Sequence, residues 1–309
     1  MWDVAGAPIK TVAVIGGTGD LGHVIVGQIA AAGDFHVTVV ARNPSSKRLL
    51  PDVKTVSVGY ESPKSIRRAL QGFDAVVNAL PGHLEEIHLR ILDAAIFAGV
   101  GRYIPSEFGS DHRQPAAQSI PLSATKIKVD DVVQKAAAEG RIEYTSLLGG
   151  LWLEWSMGAA NCMSVPQRHL VIHDGGNLRF GITTRKAFGD AVVGVLRHPD
   201  ETKNQVITIE VISLTQNRIL ELVQEAFPGE QFEVSHMETL KRYERGEKRL
   251  FQGDFDISVV TDIVVRFVFD PELQLTAETE NANELLGVKR ITEEEFKEII
   301  KRKDELLKQ

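Results

Sequence analysis

Hydrophobic positions in the first half of the chain fall in short β-branched runs separated by longer amphipathic stretches. The runs at 11–15, 36–41, 54–58, 75–79, 101–105 and 143–148 read as strands, and the stretches near 21–32, 62–70, 84–98 and 124–139 read as helices. Strands that alternate with helices need crossover connections, so the pattern predicts a parallel sheet covered on both faces. Gly99, after DAAIFA, and Gly140, before RIEYTSLL, stand where helices should stop. The expected fold class is α/β, a doubly wound parallel sheet of Rossmann type with a smaller C-terminal α/β part. Past residue 150 the alternation loosens. Segment 151–180 carries few helical signals, and helices resume near 186–197 and 215–227 around a strand near 205–211. The tail 292–308 sets Phe296, Ile299, Ile300, Leu306 and Leu307 among Glu and Lys, an amphipathic surface helix with Thr292 as its N-cap. No low-complexity linker separates the halves. The expected division is therefore a nucleotide-binding domain over 1–150 and a substrate-binding domain over 151–309, packed on the first and able to return a strand to it.

The first strand empties into a glycine-rich turn, Gly16-Gly17-Thr18-Gly19-Asp20-Leu21-Gly22, and an apolar helical stretch follows. In this setting glycines let the chain turn off the strand, let backbone N–H groups approach a pyrophosphate, and let the helix pack closely. The helix start adds unpaired donors and a positive dipole end. Strand, glycine turn and helix together predict a dinucleotide site. The second strand ends at Ala41-Arg42-Asn43, with Lys47 and Arg48 shortly after. A fold that prefers NAD places an acid there for the ribose 2′-hydroxyl. Arg42, supported by Lys47, instead suits a 2′-phosphate through charge-assisted bonds, so the expected cofactor is NADPH/NADP.

Bulk composition narrows the classes. The chain has 309 residues, 43% of them hydrophobic and 25% charged, which suffices for a large globular core. A net charge of −7 argues against a general nucleic-acid surface. The single cysteine, Cys162, excludes an intrachain disulfide and fits a reducing compartment. The start, MWDVAGAPIK, lacks the regions of a signal peptide, and no apolar run is long enough for a bilayer. The expectation is a cytoplasmic protein, monomer or homodimer, with a small-molecule substrate and no nucleic-acid or membrane partner. His169, His173 and His198 are scattered, and no metal site is expected.

Three motifs carry a resemblance: GGTGDLG at the first turn, VVARNP after the second strand, and RYIPSEFGSD over 102–111. Together they resemble the isoflavone reductase-like branch of the NmrA-like family. These atypical short-chain dehydrogenases include phenylcoumaran benzylic ether and pinoresinol–lariciresinol reductases. PSEFG is the most specific of the three, since Rossmann folds in general lack it. The resemblance implies NADPH binding and hydride transfer to a phenolic or polyketide-like secondary metabolite. It also implies a catalytic lysine on the helix before EYTSLL, at Lys126 or, if the alignment slips, Lys128. The family also contains non-catalytic redox sensors, and a cofactor-using isomerase or dehydratase is a further alternative.

In a doubly wound sheet ligands sit beyond the carboxyl ends of the strands. Lys126 follows the fifth strand and a long loop, so it can reach that crevice and act as a general acid or base. Asn78, Ala79 and Leu80 end the fourth strand and are expected to line the cofactor groove. Pro105, Ser106, Glu107 and Phe108 end the fifth and are expected near the nicotinamide. Gly149, Trp152, Trp155 and Met157 follow the last strand and are candidates for an aromatic substrate wall. Tyr60 and Lys64 have the four-residue spacing of ordinary short-chain dehydrogenases, but Pro63 and their place just after the third strand argue against that role.

Overall fold

The first strand has Val12, Ala13, Val14 and Ile15 fully buried on both faces, as a central strand of a parallel sheet requires. The computed structural model describes residues 8–42, 50–157, 163–273 and 282–307. Its first half runs β1 (Thr11–Ile15), α1 (Asp20–Ala32), β2 (His36–Ala41), β3 (Lys54–Ser57), α2 (Pro63–Ala69), β4 (Ala75–Asn78), α3 (Glu85–Phe97), β5 (Arg102–Ile104), a 3-10 turn (Pro115–Ser119), α4 (Ser123–Ala138) and β6 (Glu143–Leu148). The second half runs β7 (Leu151–Trp152), α5 (Leu153–Ser156), β8 (Met163–Ser164), β9 (His169–His173), β10 (Arg179–Thr183), α6 (Arg185–Arg197), β11 (Gln205–Thr208), β12 (Ile212–Thr215), α7 (Gln216–Ala226), β13 (Glu233–Met237), α8 (Thr239–Phe251), α9 (Ile257–Phe269), α10 (Asn283–Leu286) and α11 (Glu293–Leu307).

Seven strands form one sheet in the order β11-β6-β5-β4-β1-β2-β3. Every neighbouring pair in it is parallel. The winding direction reverses between β1 and β4, which opens a crevice at their carboxyl ends. Side chains of α1 and α6 build the core on one face, and those of α2, α3 and α4 build it on the other. The seventh strand, β11, pairs Gln205–Thr208 with 145–148 of β6. A buried Arg102 fastens that edge, donating to Thr145 Oγ1 at 3.1 Å and Thr202 Oγ1 at 3.0 Å and pairing with Glu143 at 2.9 Å.

Two three-stranded sheets, β12-β10-β7 and β13-β9-β8, occupy the stretch where the pattern loosened. The hydrophobic pattern alone indicates no element for the stretches that form α8 and α9. They pack against each other, and Tyr243, Val259, Ile263 and Phe267 cover Ala117 and Ile120 on the connection into α4. This hairpin therefore braces the segment that delivers Lys126. The last helix is capped as expected: Glu295 N donates to Thr292 Oγ1 at 3.2 Å, and the Glu295 carboxylate accepts from Thr292 N at 2.8 Å. Among the described residues no helix is long and apolar enough to cross a membrane.

Candidate active site

The crevice begins where β1 stops. Gly16 has φ +76°, the left-handed region, and a Cβ there would sit 2.9 Å from the carbonyl oxygen of Ala79. Gly22 faces the same turn from α1, and its Cβ would fall 2.2 Å from Gly16 O. Ala79 N donates to Ile15 O at 2.9 Å. The ends of β1 and β4 and the start of α1 are thus locked together at backbone contact. Gly19 is the N-cap of α1 and supplies no side-chain cap, while Asp20 is exposed and Leu21 turns into the core. Gly17 is buried against Val39 and Val26, and Thr18 is half-buried.

Arg42 is exposed directly after β2. Beneath it the buried Tyr60 phenol donates to Val40 O at 3.2 Å. Burial pushes that phenol up to about 12, against the pull of the Arg42 charge, so it stays a neutral donor. Tyr60 precedes α2, whose first residue is Pro63, so Tyr60 and Lys64 do not share a helix. Lys47 and Arg48 lie outside the described residues.

At the end of β4, Asn78 is wholly buried and works from behind the crevice wall. Its amide nitrogen donates to Tyr103 Oη at 3.0 Å and to His88 Nδ1 at 2.8 Å, while Oδ1 accepts from Leu80 N at 3.2 Å. His88 then carries its proton on Nε2 and donates to Pro81 O at 3.0 Å, the tautomer both bonds require. Burial holds this imidazole below its ordinary range, with the Lys126 charge adding to the effect. Asn78 and His88 therefore fix the 79–81 turn. The sequence does not single out His88, because a lone histidine on a helix carries no signal of such a bond.

The PSEFG segment meets this turn from β5. Ser106 Oγ donates to Leu80 O at 2.7 Å. Lys126 Nζ donates to Ser106 O at 2.6 Å and Glu107 O at 2.9 Å, and it lies 3.4 Å from Glu107 Oε2. Its stem crosses Gly82, where a Cβ would come within 2.8 Å of Lys126 Cε. Lys128 sits on another face of α4, with a side chain 66% exposed and paired with Glu85 at 3.4 Å. The structure thus brings Lys126, 18% exposed, to the ends of β4 and β5 and leaves Lys128 on the surface.

Phe108 takes φ +27° and turns the chain, and its carbonyl accepts from Trp152 Nε1 at 2.5 Å. The Phe188 ring meets Phe108 edge-on at 5.5 Å and Trp152 at 5.6 Å. Gly149 is small because Phe188 needs the space: a Cβ there would stand 2.4 Å from Phe188 Cζ. Trp152 and Trp155 are part-buried against the main core. Met157 is fully buried in that core, so it has no surface for a ligand and does not join a substrate wall as expected. His169 and His173 are four residues apart, a spacing that would suit a metal on a helix, but they lie on β9. An extended chain holds them about 13 Å apart, too far for one ion.

The chain belongs to the NmrA-like family, whose model matches residues 8–251. It is 30% identical to Oxidoreductase aprR of Aspergillus flavus over 246 residues, 78% of this chain and 82% of that one. It is 27% identical to Oxidoreductase poxI of Penicillium oxalicum over 289 residues, 90% of each chain. Its fold matches the solved structure of AtPrR2 with NADP+ and (+)pinoresinol at a TM-score of 0.76, with 20% identity, over 96% of this chain and 99% of that one.

Proposed function

We propose that the protein is an NADPH-dependent reductase that delivers hydride to a phenolic or polyketide-like small molecule, with Lys126 managing the proton on the substrate oxygen. The observation that carries this reading is the Lys126 ammonium held on the Ser106 and Glu107 carbonyls, at the same strand ends as the glycine turn. The names of the fungal relatives and the ligands of AtPrR2 support it.

The residues present suit the cofactor. The bare backbone from Gly16 to Gly22 and the uncapped start of α1 form a cradle that added Cβ atoms at Gly16 or Gly22 would fill. Arg42 is exposed at the end of β2 and would hold a 2′-phosphate. Ala79, Leu80, Pro105 and Ser106 would wall the reacting end. NADPH, when bound, supplies the hydride.

Lys126 orients and protonates. An ammonium has three donors, and here two are engaged by carbonyls while the third faces Glu107 Oε2 at 3.4 Å. That longest contact is the one a substrate oxygen replaces, so the lysine is aimed without being withdrawn from its carbonyls. The lobe after residue 150 serves as the substrate side, with Trp152 and Trp155 as its aromatic residues.

Titration with NADPH and NADH, followed by nicotinamide absorbance with a panel of phenolic and polyketide carbonyls, tests the reading. Tighter NADPH binding with substrate-dependent oxidation supports it. Tight binding of both the oxidised and the reduced cofactor without turnover across the panel would favour a non-catalytic sensor.

A further inference from the structure

We propose that Glu107 is the proton carrier that recharges Lys126, fed through a small cavity that it shares with Asp130 and Ser146. The proposal deepens the reductase reading and rests on it. The Glu107 side chain is only 10% exposed and reaches Lys126 with one carboxylate oxygen. Two backbone carbonyls already fix Lys126, so a buried carboxyl is not needed to hold it. Behind the pair lies a cavity lined by Glu107, Lys126, Asp130, Asp111, Arg113 and Ser146. The centre of a water-sized sphere can range over about 10 Å³ of it, room for about one water.

Local structure explains how these groups meet. Lys126 and Asp130 are four residues apart on α4 and share a face. Ser146 points from β6 into the cavity, and its hydroxyl is buried with no hydrogen-bond partner among the described residues. A buried hydroxyl of this kind is where a water makes its bonds. The titratable groups around Glu107 come from three sides. Lys126 and Asp130 face it from α4, Asp111, His112 and Arg113 from the loop after β5, and Tyr103 from the sheet, while Tyr144 faces Asp130 and Arg113.

Arg113 is committed to Asp111, donating through Nε at 2.8 Å and Nη2 at 2.7 Å. Two acids, Glu107 and Asp130, therefore share the cavity with Lys126 as the nearby uncommitted cation. Burial raises the Glu107 carboxyl above its ordinary range, Lys126 opposes this, and Asp130 adds to it. Asp130 is raised as well, again chiefly by burial.

The proton sequence is balanced and moves no electrons between groups. Lys126 gives a proton to the substrate oxygen, so an N–H bond breaks and an O–H bond forms. Once the product oxygen has left, the neutral amine regains its contact with Glu107 and takes the carboxyl proton, breaking O–H and restoring N–H. Water in the cavity relays a proton to Glu107: one water O–H breaks as the carboxyl O–H forms, and the water regains its proton from solvent past Arg113, whose side chain is 38% exposed.

Glu107→Gln keeps the shape and cannot carry the proton. It is expected to lower kcat by about tenfold or more while KM and NADPH affinity stay unchanged. In the wild type kcat should fall as pH rises through the Glu107 titration. Asp130→Asn removes the neighbouring negative charge, so that fall should move to lower pH. A second readout needs no turnover. The infrared carbonyl stretches of protonated carboxylic acids should persist above the pH where surface carboxylates ionise; Glu107→Gln should remove the Glu107 component and leave that of Asp130, and in Asp130→Asn the remaining Glu107 component should titrate at lower pH than in the wild type. If Glu107→Gln does not fold, the wild type and Asp130→Asn decide by the same shifts. Wild-type kcat with an unchanged pH profile in Glu107→Gln, or no such band in the wild type, would overturn the proposal. Absence of turnover in the wild type would count against the reductase reading instead, and the infrared titration tells the two failures apart.

Discussion

Ser106 and Lys126 are joined through the backbone: the ammonium donates to the Ser106 carbonyl at 2.6 Å, while the Ser106 hydroxyl donates to Leu80 O at 2.7 Å. One residue of PSEFG therefore sets both the height of the lysine and the position of the turn after β4. Ser106→Ala removes the hydroxyl bond and leaves the carbonyl. The expected cost is about 1 kcal/mol of stability, measured by urea unfolding, with a fall in kcat larger than any change in NADPH affinity. Unchanged kcat would show that the Leu80 bond is not needed to align the site.

Arg42→Ala should weaken NADPH by about 10- to 100-fold, the worth of a lost charge-assisted bond, and leave NADH nearly unchanged. Calorimetric titration with both cofactors measures the ratio. Equal losses would remove Arg42 from the 2′-phosphate.

Gly22→Ala places a methyl 2.2 Å from the Gly16 carbonyl oxygen, and neither backbone can yield without moving the turn. It should destabilise the protein by about 1–3 kcal/mol and weaken both cofactors alike. Gly33→Ala is not an equivalent control, since Gly33 has φ +75°. Gly27→Ala is, because a Cβ there meets nothing within 4 Å among the described residues, and it should bind cofactor normally.

Much of this arrangement is legible in the sequence. The strands at 11–15, 36–41 and 143–148 have the bounds that their hydrophobic runs indicate, and the helix read near 84–98 spans Glu85–Phe97. The glycine turn and PSEFG point to the crevice. Other parts depend on contacts between distant residues. ISVVTDIVVRFVF is rich in β-branched residues yet forms α9. Gly246 of α8 lets it approach closely, a Cβ there standing 2.7 Å from Asp262 Cβ, and Arg242 and Arg245 pair with Asp262 at 2.9 and 2.8 Å. The choice between Lys126 and Lys128 is likewise a matter of helix phase. Residues two apart point to nearly opposite sides of a helix, and only the packing of α4 shows which side faces the crevice.

His173 is buried, stacked on Phe269 at 4.6 Å, and its Nε2 accepts from Arg242 Nη1 at 3.1 Å. Burial first, then the Arg242 charge, lower it from 6.5 to about 4. The unfolded chain therefore binds the extra proton between about pH 6.5 and about pH 4, and the histidine's contribution is lost as pH falls through that window. Relative to His173→Gln, the wild type should lose stability by up to about 1.4 kcal/mol per pH unit there. Urea unfolding of both proteins at several pH values checks it, and parallel curves would contradict the lowered proton affinity of the buried imidazole.

The most direct measurement compares NADPH oxidation by the wild type and Lys126→Ala across the same carbonyl panel, with NADPH affinity measured on the same samples. The account predicts turnover in the wild type and, in the variant, unchanged cofactor affinity with kcat lower by about 10²-fold or more. A Lys126→Ala protein that turns over at the wild-type rate would contradict it.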